Sequence, residues 1–101
     1  MIIAIIDFEV LPESRLCLLT ALQPLLAEAR NFGGNLGYRA FMDSENNAHI
    51  GIMHEWETLE HFRAYASSDL FSRMGQILRP AMTVPPVSRR LQSENLEEVR
   101  G

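Results

Sequence analysis

The chain contains no lysine. Its nine cationic residues are all arginine, set against thirteen Asp and Glu, for a formal net charge of -4. That balance argues against a nucleic-acid partner, since a duplex is held by a basic face. The missing lysine reads as a compositional bias of the source and marks no site. Cysteine is nearly absent as well. A single Cys17 excludes an internal disulfide and a cysteine-based zinc cage. Its setting, LCLLTAL, predicts a buried, inert thiol. Long apolar runs are also missing. The opening MIIAIIDFEV is apolar for six residues, has no basic flank and meets Asp7 and Glu9 at once. Neither a secretory signal nor a membrane span is expected, and the expected location is the cytoplasm. NFGGNLG lacks the lysine and spacing of a phosphate-binding loop. His54, Glu55, Glu57 and His61 are metal-ligand types, but HEWETLEH is not H-E-x-x-H, so neither a metal nor another cofactor is expected.

What is present suffices for a core. A chain of 101 residues buries roughly two-thirds of its unfolded surface, enough for one domain without staples. Residues 1–92 are expected to form it, with SENLEEVRG at 93–101 as a polar tail.

IIAIIDFEV at 2–10 is β-branched and alternates from Ile6: Ile6, Phe8 and Val10 point one way, Ile3, Ile5 and Asp7 the other. Pro12 opens a helix, with Leu16, Leu19, Leu22, Leu26 and Ala29 as its core stripe. Pro24, inside that stripe, predicts a kink. LGYRAFM at 36–42 and AHIGIMHEW at 48–56 read as a hairpin across DSENN. Thr58 caps a helix with Leu59, Phe62 and Ala66 inward, and SSD at 67–69 breaks it. Leu70, Phe71, Met74, Ile77 and Leu78 continue a helical stripe to Pro80. VSRRLQ at 87–92 is the last predicted strand.

The order β-α-β-β-α-β specifies an α+β, ferredoxin-like architecture: a four-stranded antiparallel sheet with two helices on one face. Nothing in the chain covers the other face, where Ile3 and Ile5 lie. A second copy packed sheet to sheet is the simplest cover, so a homodimer is expected.

The stretch GYRAFMDSENNAHIGIMHEWETLEHFRAYASSDLFSRMGQIL resembles the antibiotic biosynthesis monooxygenase domain. The resemblance rests on Gly34 and Tyr38, on Glu55-Trp56-Glu57-Thr58 closing a strand, and on the Ser67-Ser68-Asp69-Leu70-Phe71 break; IIDFEVLPES also fits. It implies a dimeric α/β barrel with a pocket between helices and sheet in each subunit. It also implies oxidation of phenols, anthrones or quinols by O2, often without metal or flavin. Tyr65 stands where much of the family has a helix histidine. A haem-degrading branch needs an asparagine, a tryptophan and a histidine where this chain has Ile6, Tyr65 and Gly75, which argues against haem degradation.

His54 to Met74 gathers two of three histidines, the only tryptophan and two of five phenylalanines. Such a cluster is either local core or pocket wall. Trp56 reads first as a core anchor where strand meets helix and second as a substrate-stacking surface. His61 and Tyr65, four apart, share a helix flank at the core's edge. His54 alternates in phase with Ile50, Ile52 and Trp56. The catalytic candidates are His54 or His61 as base and Tyr65 as an orienting hydroxyl. Tyr38, Trp56, Phe62, Phe71 and Met74 are the substrate-binding candidates. The expected function is cofactor-independent oxidation of a small phenol or quinol by O2. A non-catalytic binding or stress-response domain, or an isomerase, are the alternatives on this fold.

Overall fold

The β-branched opening segment forms strand β1, Ile2–Glu9, and it pairs on both edges. In this computed structural model, which describes residues 1–101, β2 spans Asn35–Met42, β3 His49–Trp56 and β4 Val87–Gln92. The strands lie in the order β2-β3-β1-β4, all antiparallel. Helices α1 (Arg15–Arg30), α2 (Leu59–Ala66) and α3 (Asp69–Leu78) complete the ferredoxin-like α+β arrangement. The sheet is open and does not close on itself. No helix is long and apolar enough to cross a membrane.

Strand alternation sorts the core. Ile2, Ala4 and Phe8 of β1, Ile50, Ile52, His54 and Trp56 of β3, and Tyr38 of β2 are all buried on the helix side. Helix α1 covers them with Leu18, Leu19, Leu22, Leu25, Leu26 and Ala29, and each buried leucine stabilises by roughly 1.5–3 kcal/mol. The opposite face carries Ile3, Ile5, Asp7, Phe41, Met53, Val87 and Leu91, with no element over it.

Several sequence expectations shift. Pro12–Ser14 form a 3-10 turn and the α-helix starts at Arg15. The α1 stripe includes Leu18 and Leu25 and omits Leu16, which is 69% exposed; Cys17 is exposed too. At 100° per residue both point more than about 100° away from Leu22, off the buried face. Helix α1 runs through Pro24 without ending. In α2 the buried pair is Phe62 and Tyr65, while Leu59 in the first turn is 39% exposed. The break between α2 and α3 is capped as the sequence implies. Thr58 accepts from the His61 amide, and Ser68 accepts from the Phe71 amide. Strand β4 is an edge strand with every residue exposed. Past it, Ser93 and Met1 bond each other's backbone.

Candidate functional site

Cross-strand register sets four residues in one row. Ala4 pairs with His54 on one side and with Arg90 on the other, and His54 pairs in turn with Tyr38. The row Tyr38–His54–Ala4–Arg90 faces the helices. Adjacent strands lie about 4.8 Å apart, so the methyl of Ala4 leaves space between two long side chains. A cavity of about 60 Å³ occupies that space, with Tyr38, His54, Phe62, Phe71, Ser88 and Arg90 among its lining residues. Ser88 and Arg90 belong to the exposed edge strand, so the cavity meets water there.

The imidazole of His54 is clamped. The Tyr38 ring stacks on it at 4.4 Å and 15°, and the Trp56 indole N–H donates to its Nδ1 at 2.7 Å. Burial, with the Arg90 charge adding to it, lowers the His54 pKa to about 4, so the ring is neutral at physiological pH. Behind Tyr38 the hydroxyls of Tyr38 and Tyr65 share a 2.7 Å hydrogen bond. Two hydroxyl protons serve one bond between them, so one O–H remains to donate elsewhere. Burial pushes both tyrosine pKa values upward, and both stay protonated. The Arg90 guanidinium carbon lies 5.2 Å from the Phe62 ring centroid, which places a cation at the cavity's open end.

The sequence candidates separate into three groups. Tyr38, His54, Phe62 and Phe71 line the cavity together. Trp56 and Tyr65 stand behind them, stacked on each other at 4.8 Å and bonded to His54 and Tyr38 respectively. Tyr65 is therefore not at the core's edge with a free polar end. It is fully buried in a cage with Phe32, Trp56, Phe71 and Tyr38, because α2 turns its Phe62/Tyr65 side to the sheet. Met74 is buried in α3 and does not line the cavity. His61 lies apart, with Nδ1 2.8 Å from the Thr58 hydroxyl and its ring against Gly34. Sequence reading missed Arg90 and Ala4. The alternation of VSRRLQ puts Arg90 in phase with Ser88 and Gln92, but only the β1–β4 register shows which face that is.

No three His, Cys, Asp or Glu side chains cluster in a metal-binding arrangement. The site can therefore be described as a small apolar chamber with one cation, a neutral imidazole and a tyrosine pair.

The antibiotic biosynthesis monooxygenase family model matches residues 1–76. Among solved structures, one titled as an antibiotic biosynthesis monooxygenase aligns with a TM-score of 0.81 at 17% identity, covering 94% of this chain and 100% of its own. A Deinococcus radiodurans protein titled for the same family gives 0.86 at 17% identity over the whole of both chains. Rv0793 from Mycobacterium tuberculosis gives 0.83 at 13%, covering 96% and 98%. At these identities the structures speak for the fold. No curated protein matches the sequence significantly.

Proposed function

Since the chain belongs to the antibiotic biosynthesis monooxygenase family, we propose that it binds a small phenol or quinol in this cavity and promotes its oxidation by O2. The observation that carries this reading is the convergence of Arg90, His54 and Tyr38 on one apolar chamber. A cation beside a bound phenol favours its ionised form, as any nearby opposite charge does. The electron-rich phenolate then passes an electron to O2, and the two radicals recombine at ring carbon. Loss of water leaves a quinone. Phenol plus O2 gives quinone plus water, so one oxygen atom is kept, the other leaves as water, and the substrate supplies all four electrons. No external reductant enters the balance, which is the sense in which the reading is cofactor-independent. Phe62 and Phe71 exclude water and hold the radical pair together.

Size sets a condition. A cavity of about 60 Å³ is smaller than the ~150 Å³ that houses benzene in an engineered core. Admission of a ring requires Arg90 or Phe71 to swing aside. The second reading, a non-catalytic binding domain, is favoured by Tyr65, which stands where much of the family has a helix histidine. In both readings the chain is cytoplasmic, and a second copy covers the open sheet face at Ile3 and Ile5. Sedimentation should then give twice 11.5 kDa.

The deciding experiment is oxygen uptake with a panel of phenols and quinols. Uptake should exceed the protein-free rate and fall at least tenfold in Arg90→Gln, the scale of one lost charged contact. Tight phenol binding with no uptake would replace oxidation by the binding reading.

A further inference from the structure

A neutral imidazole carries one proton on one of two nitrogens, and an indole N–H can only donate. The 2.7 Å contact from Trp56 Nε1 therefore makes His54 Nδ1 an acceptor. Trp56 is held to this task. It is fully buried, stacked on Tyr65 and met edge-on by Phe32 at 6.0 Å. The imidazole cannot turn over without presenting carbon to a buried N–H, and Tyr38 stacked on its face restrains it further. His54 Nε2 has no protein partner. It is not among the fully enclosed unpartnered atoms, so it keeps accessible surface, and the space beside it is the cavity.

We propose that Trp56 is a positioning residue that fixes His54 as the Nε2–H tautomer. His54 is thereby a hydrogen-bond donor to the cavity and not a base, and the cavity selects ligands that present an acceptor oxygen. The base role fails on geometry. The only lone pair on the neutral ring already receives the Trp56 proton. Taking another proton would break that bond and set an imidazolium in a buried site that also faces Arg90. A phenol bound here loses its proton to water at the Ser88–Arg90 mouth, and His54 then donates to the phenolate oxygen. The selectivity half rests on the cavity being the ligand site; the tautomer half does not.

The tautomer is read on unliganded protein from long-range nitrogen–proton spectra of the histidine rings. Nδ1 of His54 should show the shift of a bare acceptor nitrogen and Nε2 that of a protonated one; the reverse pattern overturns the proposal. In Trp56→Phe, which keeps a ring and deletes the donor, the two nitrogen shifts should move toward averaging and His54 should titrate at higher pH. Unchanged shifts and titration would leave Trp56 a core residue only. If that variant does not fold, the wild-type spectrum decides alone. Selectivity is read by calorimetry with acetophenone and α-methylstyrene, neutral isosteres that differ in a carbonyl oxygen. Acetophenone should bind about tenfold more tightly, the worth of one hydrogen bond, and the ratio should fall toward one in His54→Phe. Equal binding, or binding of neither, overturns the selectivity. Absence of phenol oxidation with the expected spectrum and ratio would count against the preceding reading alone.

Discussion

Tyr38 and Tyr65, on a strand and a helix 27 residues apart, place their hydroxyls 2.7 Å from each other inside the core. Neither hydroxyl has another protein partner, so each is the other's only relief from burial. Tyr65→Phe should therefore cost about 1–3 kcal/mol, because it strands a buried hydroxyl on Tyr38. Replacing both by Phe should cost less than the two single changes added together. Urea unfolding of the four proteins measures the coupling. Strict additivity would mean that the two hydroxyls do not depend on each other.

The cavity exists because the β1 residue between His54 and Arg90 is alanine. Ala4→Val should fill part of the 60 Å³ and keep stability within about 1.5 kcal/mol of wild type, since the space is already there. Binding of phenols or of acetophenone should drop below detection. Retained affinity would place the ligand elsewhere.

Much of this was legible in the chain, and the rest was hidden for identifiable reasons. Alternation in IIAIIDFEV and AHIGIMHEW is a period of two, and it assigns faces directly; His54 and Trp56 fall on the buried side as the pattern requires. Helical phase is harder to read. Leu16 and Leu19 are both leucine, three apart, and only the position of the sheet decides that Leu19 is buried and Leu16 is not. Tyr65 was misplaced for the same reason, since a tyrosine suits an edge or a cage and sequence does not reveal its hydroxyl's partner. Ala4 and Arg90 were invisible because a site made by cross-strand register has no spacing signature. Family resemblance implied a pocket but not that one small residue creates it.

Gly34 and His61 are coupled by space. Gly34 has φ of 82°, and a Cβ there would lie 2.2 Å from the His61 ring. Gly34→Ala should destabilise by about 1–3 kcal/mol through backbone strain alone, with the clash adding to it. Adding His61→Ala should relieve only the part of the clash that comes from the ring, since the His61 Cβ would still lie 2.5 Å away, and none of the strain. His61→Ala alone should leave ligand affinity and turnover unchanged, since His61 lies outside the cavity. A tenfold loss of turnover in His61→Ala would restore it as a candidate base.

The final prediction concerns acid. Burial and the Arg90 charge hold the folded pKa of His54 at about 4, against an ordinary value of 6.5. Above pH 6.5 the ring is neutral in both folded and unfolded chains, and stability from this source is complete. As pH falls from 6.5 toward 4, the unfolded chain takes up the proton and the folded chain does not, so stability declines. The full loss is about 3 kcal/mol at 1.36 kcal/mol per pKa unit. Exposed carboxylates act in a lower window. Glu28, held down by its hydrogen bond from Arg73, and Asp43, held down by the Glu45 amide, begin to lose their stabilisation only as pH falls through their unfolded values of 4.5 and 3.8. Urea midpoints taken from about pH 7.5 to 4.5 should therefore fall mainly through His54. In His54→Gln the amide oxygen can still accept from Trp56 but does not titrate in this range. That variant should show a flatter profile between about pH 6.5 and 4.5 and the same decline below it. A wild-type profile that is flat across this window, or a variant profile as steep as wild type, would show that His54 is not the neutral, buried acceptor described above.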